Sequence, residues 1–189
     1  MQNRSKELKS IVSQFADAYK MTCDRSWNDY VKTLTPGTML PPKGRIYGED
    51  KRAEFESLCQ DYRVRVDKVL DEVLVGLNRK MTEAPSTEAV NTITLLNMRQ
   101  NVDEIEIGNL LTKYGDNPQS WKALVDIASA HNIHVWDAHP VEKQIDGIEN
   151  LRSSLGRVIS RTSAEAGHTS DAYISVVCMD IDNAFTEGE

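Results

Sequence analysis

The stretch FESLCQDYRVRVDKVLDEVLVGLNRKM, residues 55–81, decides the fold. Its apolar residues Phe55, Leu58, Tyr62, Val66, Val69, Val73, Leu77 and Met81 are spaced 3, 4, 4, 3, 4, 4 and 4 apart. Side chains three and four positions apart share one face of an α-helix, so the spacing predicts a helix from about Glu49 to Met81 with a near-heptad seam. Arg63, Arg65, Lys68, Arg79 and Lys80 fall off the seam among acidic neighbours, which suits a solvated face better than a nucleic-acid stripe.

Toward the N-terminus the same spacing recurs. Leu8, Val12, Phe15, Tyr19, Cys23, Trp27, Tyr30 and Leu34 line one side of a second helix, and Thr35-Pro36-Gly37 stops it. At ~1.5 Å per residue this helix is ~45 Å long. Neither stripe is buried by its own helix, so the two are expected to fold back as an antiparallel hairpin. The connection, Thr35 to Gly48, holds Pro36, Pro41, Pro42, Gly37, Gly44 and Gly48. Prolines fix φ and remove donors, which makes the loop extended and semi-rigid. It lacks the strand context and the Gly-Lys-Ser/Thr ending of a phosphate loop. A connector longer than ~12 residues is also a place for partner contact, and Lys43, Arg45 and Tyr47 are its candidate contact residues.

Beyond Met81 the helices shorten. A third is expected over Thr87–Arg99 with Val90, Ile93 and Leu96, and a fourth opens at Asp103 with Ile105, Ile107, Leu110, Leu111 and Tyr114 before Gly115 as a C′ residue. Asn117 caps and Pro118 starts a fifth carrying Trp121, Leu124, Val125, Ile127 and Ala128, which ends at His131-Asn132. A sixth is expected over Pro140 to about Ala166 and a seventh after Thr169 or Ser170, although Ile174–Cys178 also has the β-branched composition of a strand. The predicted class is therefore all-α: a hairpin over residues 1–81 and a bundle of shorter helices over residues 82–189.

Charge follows that boundary. The net charge is −7, but residues 1–80 hold 15 Lys+Arg against 12 Asp+Glu while residues 81–189 hold 7 against 17. The acidic half is expected to be a solvated surface, or else an acidic inhibitor that occupies the basic groove of a host nuclease or other nucleic-acid enzyme, with Asp103, Glu104 and Glu106 as contact residues. Asp103 to His131 has the outline of a helix-turn-helix, yet Pro118 to His131 offers only Lys122 to a phosphate backbone, so direct nucleic-acid binding is not expected.

Chemistry-bearing residues are sparse. His131, His134, Asp137 and His139 read H-x-x-H-x-x-D-x-H, residue types that ligate Zn²⁺ or another divalent metal and would serve a small metal-dependent enzyme. The segment crosses a helix end and a Pro140 start, so the competing expectation is His131 near a helix C-terminus, His134 and His139 in loop or cap positions, and Trp136 as a core plug. Asp180 and Asp182, with Asp171, Glu187 and Glu189, are expected on an exposed helix side and a frayed tail rather than in a cleft. Cys23, Cys59 and Cys178 are odd in number and far apart, the pattern of reduced core thiols in a cytoplasmic protein. No run approaches the ~20 apolar residues of a membrane span, and Met1-Gln2-Asn3-Arg4 lacks the apolar stretch of a signal peptide.

With its long hairpin up to Met81 and the stretches Val102-Asp103-Glu104-Ile105 and Lys113-Tyr114-Gly115-Asp116-Asn117-Pro118, the chain resembles the small helical proteins of bacteriophages and other mobile elements. The resemblance implies an assembly, packaging or host-interaction role in a bacterial or infected cell. The leading expectation is a protein-interaction or assembly module that associates with itself or with a protein partner, without a cofactor.

Overall fold

Every regular element among the described residues, 2–135, 138–160 and 171–186 of this computed structural model, is an α-helix. They are α1 (Gln2–Val31), α2 (Glu49–Met81), α3 (Thr87–Asn97), α4 (Glu104–Tyr114), α5 (Pro118–Ala130), α6 (Pro140–Val158) and α7 (Asp171–Thr186). The all-α class therefore holds. Ile174–Cys178 lies within α7, where Ile174 and Val177 are buried three residues apart, as a helix and not a strand requires.

By contacts the described chain forms two compact units, residues 1–73 with 147–186 and residues 74–146. In the first, α1 and α2 are antiparallel, as their cross-pairs run in opposite order: Arg25 with Glu54, Tyr19 with Phe55, Phe15 with Tyr62, Gln14 with Arg65 and Arg4 with Glu72. Leu8, Val12, Phe15, Tyr19 and Cys23 are all buried, as their spacing requires, and Phe15 sits edge-on to Tyr62 at a centroid distance of 5.5 Å. The stripe of α2 is wider than the seam read from the sequence, because Leu70 and Leu74 are buried beside Val69 and Val73. α2 also meets α6, whose Ile148, Leu151, Leu155 and Val158 are buried and whose Arg152 pairs with Asp67 and Asp71 of α2. On its other side α1 carries α7: Ile174, Val177, Ile181, Ala184 and Phe185 are buried, and Asp182 accepts from Ser5 Oγ at 3.0 Å and from Lys9 Nζ.

The sixth helix is shorter than its apolar spacing suggested. It stops at Val158, and the expected continuation past Ser160 lies outside the described residues. Arg63 of α2 donates through Nε to Ile159 O at 2.8 Å and through Nη2 to Gly156 O at 3.2 Å, satisfying carbonyls that a helix end leaves orphaned.

The second unit is built on caps. Ser86, Asp103 and Asn117 each accept from the backbone N–H three residues on, opening α3, α4 and α5. Leu96, Ile107, Leu124, Ile127 and Ala128 form its core, with Ile93, Val102, Leu110, Leu111, Tyr114, Ile133 and Val135 packed around them. At the end of α5, Asn132 takes φ 60°, its N–H bonds Ser129 O, and Ile133 N–H bonds Ala128 O at 2.8 Å. That is the Schellman arrangement, with Ile133 closing over the core. Gly115 does not act as the left-handed C′ residue its position suggested, since its φ is −72°. Glycine is needed there for space: a Cβ would stand 2.1 Å from Leu111 O and 3.0 Å from Trp121 Cε3.

Packing and surface charge should separate cleanly in this unit-one core. Phe15→Ala is expected to cost ~3–5 kcal/mol in urea denaturation, whereas Glu72→Gln, which removes an exposed pair with Arg4, should change stability by less than ~1 kcal/mol. Equal effects would mean that the α1–α2 seam is held by its ion pairs.

Candidate functional site

The three described histidines of the segment serve different places. His131 is the C-cap of α5, His134 is exposed, His139 is buried, and Asp137 lies outside the described residues with Trp136. Among the described residues no group of His, Cys, Asp and Glu is arranged to hold a metal ion. Both ring nitrogens of His139 are occupied by the backbone. Val141 N–H donates to Nδ1 at 3.1 Å, so the neutral ring carries its proton on Nε2 and donates to Gly115 O at 2.9 Å. His139 thus caps α6 ahead of Pro140, and its edge meets the Trp121 ring at a centroid distance of 5.7 Å.

The acidic contact residues also have local duties. Asp103 accepts from Glu106 N–H at 2.8 Å as the cap of α4, and Glu106 pairs with Arg99 at 2.6 Å. Of the three, Glu104 alone is left without an ion pair or capping bond among the described residues. Lys9, donating to Asp182, holds that carboxyl below the usual carboxylate range. Cys23 and Cys59 are buried and unbridged. Burial pushes the Cys59 thiol up to about 11, so it stays protonated at neutral pH.

Two clefts on the described surface are lined largely by groups that already have partners. One of ≈340 Å³ lies between α2 and α6 beside Arg63 and Arg152, whose partners are the α6 carbonyls and the Asp67/Asp71 pair. Another of ≈500 Å³ lies between α1 and α2, where Arg4 meets Glu7 and Glu72 while Arg65 meets Gln14. Neither places a nucleophile beside a base.

The loop between α1 and α2 is different. Ser26, buried in the last turns of α1, donates from Oγ to Tyr47 O at 2.9 Å and accepts from Tyr47 N–H, so one hydroxyl satisfies both backbone groups of that residue. Trp27 Nε1–H donates to Pro41 O at 2.9 Å, Tyr47 O–H to Pro42 O at 2.7 Å and Tyr19 O–H to Gly44 O at 3.1 Å. Tyr30 stacks on Tyr47 with centroids 4.8 Å apart and planes 14° apart, and Lys43 Nζ stands 4.7 Å from the Trp27 ring centroid. Ile46 is buried beneath. Gly37, Gly44 and Gly48 adopt φ of 92°, 83° and 89°, which a side chain would strain.

Two large apolar side chains of this frame stand outward: Met39 is 92% and Leu40 60% exposed. From Val31 to Gly48 there is no acidic residue, while Lys32, Lys43 and Arg45 are present. Lys32 pairs with Asp29, whereas Lys43 and Arg45 have no carboxylate partner among the described residues. Of the three loop residues singled out from sequence, Tyr47 is thus a structural staple, and Lys43 and Arg45 flank the exposed tip. Met39 and Leu40 were missed, although two large apolar residues inside a Pro/Gly-rich loop are a signal open to sequence reading. No protein-family model, curated protein or solved structure matches the chain.

Ser26→Ala should leave both Tyr47 backbone groups unpaired, cost ~1–3 kcal/mol, and speed tryptic cleavage after Lys43 and Arg45. Unchanged cleavage would show that the aromatic contacts hold the loop alone. His139→Ala should lower stability by a similar ~1–3 kcal/mol, read by thermal melting. A variant as stable as the parent would remove the cap role assigned to the ring.

Proposed function

We propose that this chain is a protein-interaction and assembly module whose contact element is the loop at residues 35–48. The observation that carries this reading is the pairing of exposed Met39 and Leu40 with a frame that restrains them. Large apolar side chains in water gain by being covered, each by ~1.5–3 kcal/mol when fully buried. A flexible loop loses much of that gain on ordering its residues, and a pre-ordered one does not. The inhibitor reading finds less support, because Asp103 and Glu106 already hold the start of α4. Among the described residues no helix is long and apolar enough to cross a membrane.

The test is sedimentation velocity over a wide concentration range. The parent chain should associate, and Met39→Ser with Leu40→Ser should sediment as a monomer with its helical circular dichroism intact, since exposed positions contribute little to folding. Association that is indifferent to the double substitution removes the loop from the contact. A parent chain that stays monomeric throughout removes self-assembly.

A further inference from the structure

We infer that the loop of one copy docks on the outward face of α7 of another copy, a step that rests on the assembly reading above. α7 turns Ile174, Val177, Ile181, Ala184 and Phe185 into the first unit's core and leaves Val176 and Met179 outside, 52% and 64% exposed. Asp180 is exposed one helical turn beyond Val176, so these three side chains share a face. From Ala172 to Thr186 the charged residues are Asp180 and Asp182, with no Lys or Arg. Lys9 neutralises Asp182, while Asp180 has no ion pair among the described residues. The loop carries the complement: two exposed apolar side chains, Met39 and Leu40, beside the cations Lys43 and Arg45. Matching apolar pairs with opposite charge is what a specific contact between surfaces needs.

The two surfaces belong to different copies for a geometric reason. Ser5 and Lys9 fix α7 at the beginning of α1, and the loop leaves the end of α1 at Val31. The loop is pinned along α1 between Tyr19 and Trp27, roughly 15–27 Å beyond Lys9 at ~1.5 Å per residue, while Asp180 is ~3 Å along its helix from Asp182. With both elements fixed to α1 at different levels, the loop is held away from the Asp180 of its own chain. Loop against loop is disfavoured as well, since it would set Lys43 and Arg45 of one copy against those of the other. The contact is therefore head-to-tail, which builds a ring or an open array according to whether its rotation closes.

A reciprocal charge swap tests this. K43E/R45E makes the loop acidic and leaves α7 native; D180K makes α7 basic and leaves the loop native. Each chain alone should associate at least about tenfold more weakly than the parent, because like charges then face each other. Mixed, the acidic loop meets the basic helix and the native loop meets the native helix, so association should return to within about threefold of the parent value. Circular dichroism checks that each chain is folded. A mixture that stays dissociated overturns the inference, as does a D180K chain that associates like the parent. If parent association still requires Met39 and Leu40 in that case, the assembly reading survives without α7. A parent chain that stays monomeric overturns both. Pelleting with phosphatidylserine vesicles through Met39 and Leu40, without self-association, overturns them in favour of a lipid surface.

Discussion

The fold depends on the width of the apolar stripe along α2. A seam of one residue per turn serves one neighbour, and in its first half α2 has such a seam, Phe55 and Tyr62 meeting Phe15 and Tyr19 of α1. From Val66 onward the buried positions double to Val69 with Leu70 and Val73 with Leu74, so the helix meets a second neighbour. The charges bordering the stripe sort accordingly: Arg65 and Glu72 reach Gln14 and Arg4 on α1, while Asp67 and Asp71 reach Arg152 on α6. Those pairs are exposed and are worth little individually. Their role is to fix register, since a shift of α1 or α6 by a turn would set each charge against the wrong partner.

The pairing of α2 with α6 accords with residues 147–158 grouping with residues 1–73 and not with the short helices that precede them in the chain. Spacing along α6 announced a buried face in Ile148, Leu151 and Leu155, but spacing on one helix does not say which other helix covers it. Leu70 was the available clue: added to the seam of α2 beside Val66 and Val69, it makes a stripe too broad for α1 alone. Capping signals were largely legible. Asn117-Pro118 opens α5, Asp103 opens α4, and His131-Asn132 closes α5, all because caps are made by residues within three or four positions of the backbone groups they satisfy.

Features set by distant partners were not legible. Arg63 ends α6 from 96 residues away, and Gly115 O, 24 residues from His139, determines which ring nitrogen carries the proton. A histidine with both nitrogens bound to backbone and a histidine awaiting a metal have the same sequence. Gly115 is similar: a glycine after a helix suggests a left-handed turn, whereas here the ring of Trp121 and the carbonyl of Leu111 take the space of its side chain. Trp27 and Tyr30 continued the helical periodicity of α1, yet near the end of that helix the seam gives way to the loop, and their rings serve the loop instead.

The loop shows why a binding reading follows from polar satisfaction. Its prolines remove donors and leave carbonyls, and Trp27 and Tyr47 supply the missing donors to Pro41 and Pro42. With those carbonyls answered internally, the exposed area of Met39 and Leu40 is the loop's main unfavourable contact with water. Catalysis needs polar groups aimed into a cleft with their capacity unspent. This segment differs: Ser26, Trp27, Tyr19 and Tyr47 are bound to its backbone, while apolar area and two cations without a carboxylate partner among the described residues stand exposed, a distribution that supports the proposed contact.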